Sequence, residues 1–91
     1  MFKILIVENN EYHRKNLMSM IDELGNFMMV EAGDTDEGIE KIRKMKPDIV
    51  ISDIDRSLQN GLEMFEKTKE YSYGAIIITS VQSFELIQKA L

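Results

Sequence analysis

The sequence Pro47-Asp48-Ile49-Val50-Ile51-Ser52-Asp53 sets three adjacent β-branched residues between a proline and an acidic end. An apolar run that is continuous rather than alternating is typical of a strand buried on both faces of a parallel sheet. Three further runs have the same character, namely Ile4-Leu5-Ile6-Val7, Phe27-Met28-Met29-Val30 and Ile76-Ile77-Ile78. The sequence therefore predicts four buried strands.

Segments with the apolar spacing of helices separate these runs and follow the last one. Their stripes are Leu17, Met20, Ile21 and Leu24; Ile39, Ile42 and Met45; Leu62, Phe65 and Thr68; and Phe84, Ile87 and Leu91. Asp34 and Glu37 fit a capping box at the start of the second helix, and Pro47 stops that helix. The alternation βαβαβαβα predicts an α/β fold, an open parallel sheet with helices on both faces.

Length and composition exclude several classes of protein. The 91 residues suffice for one small domain. A net charge of -5 without a large basic cluster argues against nucleic-acid binding by this chain. The absence of cysteine excludes disulfide scaffolds, cysteine zinc sites and thiol catalysis. The apolar runs are too short to span a membrane and the start does not read as a signal peptide, so a soluble, cytoplasmic protein is expected.

Polar side chains stand where three of the predicted strands end. Glu8-Asn9-Asn10 follows the first strand, Asp53-Ile54-Asp55 the third, and Thr79 the fourth. Ligands of open α/β sheets bind beyond the carboxyl ends of the strands. If the first and third strands are neighbours, these acidic side chains share one crevice. Such oxygen ligands suit Mg²⁺, and a carboxylate there can attack phosphorus to form an aspartyl phosphate.

These segments resemble response-regulator receiver domains along the whole chain. Residues 3–10 resemble their opening strand and acidic pair, and residues 47–54 their phosphoacceptor strand. Asn60-Gly61-Leu62-Glu63 falls at a typical turn, Ile76-Ile77-Ile78-Thr79-Ser80 is similar to the strand of the switch residue, and residues 83–91 resemble the next helix. The resemblance implies a flavodoxin-like sheet in one receiver-like domain, residues 1–91, that ends before the family's fifth strand and helix.

The resemblance also implies a function in two-component signalling. Asp53 is the expected phosphoacceptor for a sensor histidine kinase, and Thr79 the residue that contacts the phosphoryl group and switches a partner. Glu8, Asn9, Asp53 and the backbone carbonyl of Asp55 are the expected ligands of Mg²⁺. The parent protein is expected to carry a C-terminal DNA-binding output domain.

Departures from the family pattern leave alternatives open. Asn9 replaces the second acidic residue, Ser57 stands where receivers usually have proline, and no lysine matches the catalytic one, so Mg²⁺ binding is expected to be weak and phosphorylation impaired. A phosphorylation-independent pseudo-receiver, acting by protein contact, is the alternative function. Asp53-Ile54-Asp55 also resembles the motif of haloacid-dehalogenase-type phosphatases, but the later lysine and acidic metal site are lacking, so the chain is not expected to be an enzyme.

Two further expectations concern the only histidine and the fourth strand. His13 lies one turn before Leu17, so a partly buried, hydrogen-bonded role is favoured over acid-base catalysis. The strand order of receivers leaves the fourth strand, residues 75–79, at an uncharged edge. A symmetric homodimer that covers this edge is therefore predicted.

Overall fold

A computed structural model describes residues 1–53 and 58–78 of the chain. In order, its elements are β1 (Lys3–Val7), α1 (Glu11–Asp22), β2 (Met28–Ala32), α2 (Thr35–Met45), β3 (Ile49–Asp53), α3 (Leu58–Lys67) and β4 (Gly74–Ile78). The four strands form one parallel sheet in the order β2-β1-β3-β4. The predicted flavodoxin-like architecture is confirmed. The helix predicted over residues 83–91 lies outside the described residues.

Two apolar cores lie on opposite faces of this sheet. One is built from Leu5, Val7, Ala32, Ile42, Val50 and Met64, which joins the central strands to α2 and α3. The other joins the same strands to α1 and is built from Ile4, Ile6, Ile21 and Ile51. Continuous apolar sequence in β1 and β3 is thus explained, because successive side chains alternate between two buried faces.

The edge strands are less buried than the sequence predicts. Every residue of β4 is exposed, and Ile76 keeps 48% of its surface accessible to solvent. Among the described residues β4 pairs only with β3, and neither of its faces is covered like those of the central strands. The prediction of four buried strands is therefore wrong for β4.

The helix starts follow local capping chemistry. Asn10 caps α1, since its Oδ1 accepts a hydrogen bond from the His13 N–H at 2.9 Å. At α2, Asp34 accepts from the Glu37 N–H at 2.8 Å, as predicted. The Glu37 carboxylate reaches back to the Gly33 N–H, one residue before the cap, so the capping box closes slightly earlier than usual.

The predicted stripes of α1 and α3 need correction. Of the predicted α1 stripe, Leu17 and Ile21 pack into the core, whereas Met20 is 59% exposed. Leu24 is 79% exposed and lies beyond the end of α1 at Asp22. On α3, Met64 is fully buried, whereas Leu62 is 37% exposed. The buried set Gly61, Met64 and Thr68 follows the spacing of three and four that places side chains on one helix face.

Gly38 allows α2 to approach the sheet closely. A Cβ atom at this position would lie 2.8 Å from Met64 Sδ and 3.1 Å from Val7 Cγ2. Both neighbours are buried, so neither side chain can move away freely. A glycine inside a helix, which weakens the helix itself, is thus explained by packing.

The C-terminal end of α3 is closed by a buried hydroxyl. Thr68 is fully buried, and its Oγ1 lies 2.7 Å from both the Met64 carbonyl oxygen and the Tyr73 hydroxyl. By contrast, the buried Ser52 Oγ has no hydrogen-bond partner in the described part of the chain. The Thr68 hydroxyl therefore contributes to stability, whereas the Ser52 hydroxyl has lost its contact with water without a described hydrogen bond to replace it.

Asp48 organises the end of the sheet at which the strands begin. Its carboxylate accepts from the Lys3 N–H at 2.7 Å, and its own N–H donates to the Lys3 carbonyl at 2.9 Å. The Asp48 carbonyl accepts from the Gly74 N–H at 2.9 Å. One residue therefore joins β1, β3 and β4 at their first residues.

In residues 1–53 and 58–78, no helix has the length and apolar character to cross a bilayer.

Candidate functional site

The register of the sheet brings the predicted acidic residues together. Val7 of β1 is aligned with Ser52 of β3, so the next residues, Glu8 and Asp53, are neighbours at the carboxyl ends of the two central strands. A cavity of about 130 Å³ opens there. It is lined by Val7, Glu8, Asn9, Asp34, Thr35, Asp53 and Asn60.

Glu8 and Asp53 form a hydrogen-bonded carboxyl pair. Glu8 is only 8% exposed, and its Oε1 accepts a hydrogen bond from the Asn10 N–H at 2.9 Å. Burial raises the pKa of Glu8, and so do its side-chain hydrogen bond with Asp53 and the negative charge of Asp53, in that order. In the folded protein, the raised pKa lets Glu8 keep its proton to a higher pH than an isolated glutamate would, which limits the repulsion from Asp53.

Asp53 lies at the boundary between two depressions. It lines the cavity described above and also a groove of about 270 Å³ on the α1 side, whose wall includes His13, Leu17 and Ile78. Asp53 itself is only partly buried. Its carboxyl group is therefore placed where a reactant can approach from solvent.

Three of the five predicted site residues lie within the described part of the chain. Glu8, Asn9 and Asp53 line the same cavity. Asp55 and Thr79 lie outside the described residues, as does Ser57. The roles predicted for all of these residues, inside and outside the described part of the chain, stay predictions.

Sequence reasoning did not identify every residue of the cavity wall. Asp34 comes from the loop between β2 and α2, Thr35 is the first residue of α2, and Asn60 lies in the first turn of α3. The signal was available, because the predicted order places β2 beside β1 and therefore brings its following loop to the same end of the sheet. In the sequence, the spacing of Asp34 and Glu37 indicates only a helix cap, a role that Asp34 does have.

His13 differs from its prediction. The side chain is exposed rather than partly buried, and its ring lies edge-on to Tyr12 with centroids 6.0 Å apart. Since α1 begins at Glu11, His13 falls in the first turn of this helix. It borders the groove on the α1 side rather than the apolar core.

The oxygen atoms of the cavity meet part of what a divalent cation requires. In residues 1–53 and 58–78, no three acidic, histidine or cysteine side chains cluster as a metal site. Glu8, Asp53 and Asn9 nevertheless offer carboxylate and amide oxygens, which Mg²⁺ prefers. The paired carboxyl groups are also where a cation would relieve repulsion. These residues fit a weakly held Mg²⁺ with one anionic ligand fewer than three carboxylates would supply.

Comparison with known proteins gives concordant matches. The model of the response regulator receiver domain matches residues 4–91. The chain is 32% identical over 92 residues to the chemotaxis protein CheY of Halobacterium salinarum, covering 98% of this chain and 75% of that protein. It is 33% identical over 79 residues to a protein-glutamate methylesterase/protein-glutamine glutaminase of Syntrophomonas wolfei, covering 86% of this chain.

A solved structure has the same fold. The response regulator domain of Thermotoga maritima CheB matches with a TM-score of 0.75 at 23% identity, covering 97% of this chain and 72% of that one. The aligned region makes up 75% of the Halobacterium salinarum protein but only 22% of the Syntrophomonas wolfei protein.

Proposed function

Because the chain belongs to the response regulator receiver domains, we propose that it accepts a phosphoryl group on Asp53 from a sensor histidine kinase and thereby switches a partner or an output domain. The observation that carries this proposal is the carboxyl pair of Glu8 and Asp53 at the ends of β1 and β3. A strand-end carboxylate in an open cavity is suited to act as a nucleophile toward phosphorus.

The transfer is a displacement at phosphorus. An ionised Asp53 oxygen attacks the phosphorus of a phosphohistidine, so that a P–O bond forms and the P–N bond breaks. The imidazole nitrogen leaves with the electron pair and takes up a proton from solvent. Only the carboxylate form of Asp53 can make this attack.

Mg²⁺ is the cofactor that this site suits. Glu8, Asp53, the Asn9 amide oxygen and the Asp55 backbone carbonyl would hold it, and when bound it supplies positive charge for the phosphoryl oxygens. Asn9 contributes no charge, so we expect weak binding and slow transfer. Thr79 would donate its hydroxyl to the transferred group and bias a two-state surface toward the active form.

The wider biological role follows from the same proposal. The chain acts in the cytoplasm as a signalling domain and not as an enzyme, and the parent protein carries a DNA-binding output domain. A symmetric homodimer covers the exposed edge of β4, where Ile76, Ile77 and Ile78 are each at least 37% accessible. Two-fold contacts of this kind close on themselves and do not propagate.

A phosphorylation-independent interaction module is the second candidate. It is favoured by the Glu8–Asp53 hydrogen bond, which satisfies the carboxyl pair without a cation, together with the neutral Asn9. In that case, signalling would use protein contact alone, and the fold would be retained for its surface.

Intact-mass spectrometry after incubation with Mg²⁺ and acetyl phosphate distinguishes the two candidates. We expect one added phosphoryl group on the unaltered chain and none on Asp53→Asn. Asp48→Asn is the matched control, because Asp48 directly precedes the first residue of the same strand and its amide can still accept from Lys3. An unaltered chain that gains no phosphoryl group would favour the interaction module, and an adduct on Asp53→Asn would place the acceptor elsewhere.

A further inference from the structure

Arg14 connects three elements next to the carboxyl pair. Its side chain is only 13% exposed. Nε donates to Glu31 Oε1 on β2 at 2.7 Å, and Nη1 donates to the backbone carbonyl of Glu8 at 2.8 Å. One planar guanidinium on α1 therefore holds the end of β1 against β2, a task that suits the fixed donor geometry of arginine.

The hydrogen bond from Arg14 to the Glu8 carbonyl lies just beyond the last residue of β1. The Glu8 N–H still donates to the Ala32 carbonyl at 3.0 Å, but β1 itself ends at Val7. Beyond that point the chain turns into the Asn10 cap, whose N–H donates to Glu8 Oε1. Glu8 is thus held at its carbonyl by Arg14 and at its carboxyl group by Asn10.

Lys15 provides an internal comparison. Its ammonium donates to Glu31 Oε2 at 2.7 Å, so it pairs with the second oxygen of the same carboxylate. Its side chain is 55% exposed, and its only described hydrogen bond is the one to Glu31. The two neighbouring cations therefore share Glu31, but only Arg14 also reaches Glu8.

We propose that Arg14 is a positioning residue that fixes the direction of the Glu8 carboxyl group toward Asp53. The relevance of this role to phosphoryl transfer rests on the function proposed above. Partners that orient metal ligands typically change metal affinity by one to two orders of magnitude when they are removed. Arg14 acts on the site through the backbone of Glu8, without contacting a reactant.

Amide hydrogen exchange tests the role without metal or phosphodonor. In Arg14→Gln, we expect exchange of the Asn10 amide to accelerate at least tenfold, while core amides such as those of Leu5 and Val50 keep their rates. A merely structural role would accelerate all of them together. Lys15→Gln is the matched control and should leave the Asn10 amide unchanged. Equal exchange at Asn10 in the two variants would overturn the proposal.

Arg14→Lys separates charge from geometry. It retains the positive charge and most of the stem but not the fork that serves Glu31 and Glu8 together. We expect its Asn10 amide to exchange as fast as that of Arg14→Gln. Protection equal to that of the unaltered chain would show that charge alone suffices and would refute positioning by the guanidinium.

An NMR titration with Mg²⁺ tests whether Arg14 also affects the proposed magnesium site. If the unaltered chain binds Mg²⁺, Arg14→Gln should bind it about tenfold more weakly, and Lys15→Gln with unchanged affinity. Equal affinity of the two variants would refute the proposal even if the Asn10 amide exchanged faster. If the unaltered chain does not bind Mg²⁺, the proposed magnesium site fails, and the exchange experiment alone decides the role of Arg14.

Discussion

Replacing Glu8 by glutamine should stabilise the folded protein near neutral pH. The folded state raises the pKa of Glu8 above its ordinary value of 4.5, through burial first and Asp53 second. The stabilisation that this shift provides is complete below the unfolded pKa and is lost as pH rises through the folded pKa. At neutral pH the unaltered chain must therefore either keep a costly proton or hold two adjacent negative charges.

The size of the effect follows from Coulomb's law and the position of the pair. Two like charges about 4 Å apart repel by about 1 kcal/mol in water and about 4 kcal/mol near a protein surface. The pair borders an open cavity, so about 1–2 kcal/mol is expected. Glutamine keeps the shape and the oxygen that accepts from the Asn10 N–H, so Glu8→Gln should gain this amount at pH 7.5 and little at pH 4.

Urea unfolding between pH 4 and pH 8 measures this difference. The matched control is Glu31→Gln, because hydrogen bonds from Lys15 and then Arg14 lower the pKa of Glu31. That stabilisation is present above the unfolded pKa and lost as pH falls, so Glu31→Gln should destabilise the protein at pH 7.5. Mg²⁺ at ten times its Kd should add about 1.4 kcal/mol to the unaltered chain and less to Glu8→Gln. A Glu8→Gln variant no more stable than the unaltered chain at pH 7.5 would refute the reasoning.

Three further predictions, which use four substitutions, test other parts of the structure. Thr68→Val should cost about 1–3 kcal/mol of unfolding free energy, because it removes the hydrogen bonds to Met64 and Tyr73. Ser52→Ala should be neutral or stabilising, because the hydroxyl that it removes has no described hydrogen-bond partner. Equal losses of stability for the two variants in urea unfolding would contradict this difference. Gly38→Ala should destabilise by about 1 kcal/mol in the same assay, since crowding of about 1–3 kcal/mol exceeds the gain in helix propensity; a more stable variant would disprove the close contact. Asn9→Asp should tighten Mg²⁺ binding in an NMR titration and lower stability without the metal; equal affinity would remove Asn9 from the site.

The sequence predicts the sheet well because β1 and β3 must be apolar on both faces. Continuous runs such as Ile4-Leu5-Ile6-Val7 leave few other structures, and strand order then brings Glu8 beside Asp53. The failures at Met20 and Leu62 have a different cause. A stripe spaced by three and four has several possible phases, and the phase depends on where each helix begins.

Other features depend on tertiary geometry that no local pattern encodes. Gly38 is interpretable only once α2 is seen against Val7 and Met64. Similarly, Arg14 looks like a solvated charge in sequence, and its link to the Glu8 carbonyl depends on the direction of one backbone peptide group. Capping by Asn10 was readable, since asparagine before a helix is a common start signal.

The contacts of Asp48 indicate that the register of β1 and β3 is fixed at the end of the sheet where the strands begin. A slip of one residue in β1 would turn Glu8 to the opposite face and separate it from Asp53. Asp48 opposes such a slip from the far end of the strands, through its paired hydrogen bonds with Lys3. The loops at the carboxyl ends of the strands can therefore change in sequence over evolution, because contacts at the opposite end of the sheet maintain the strand register.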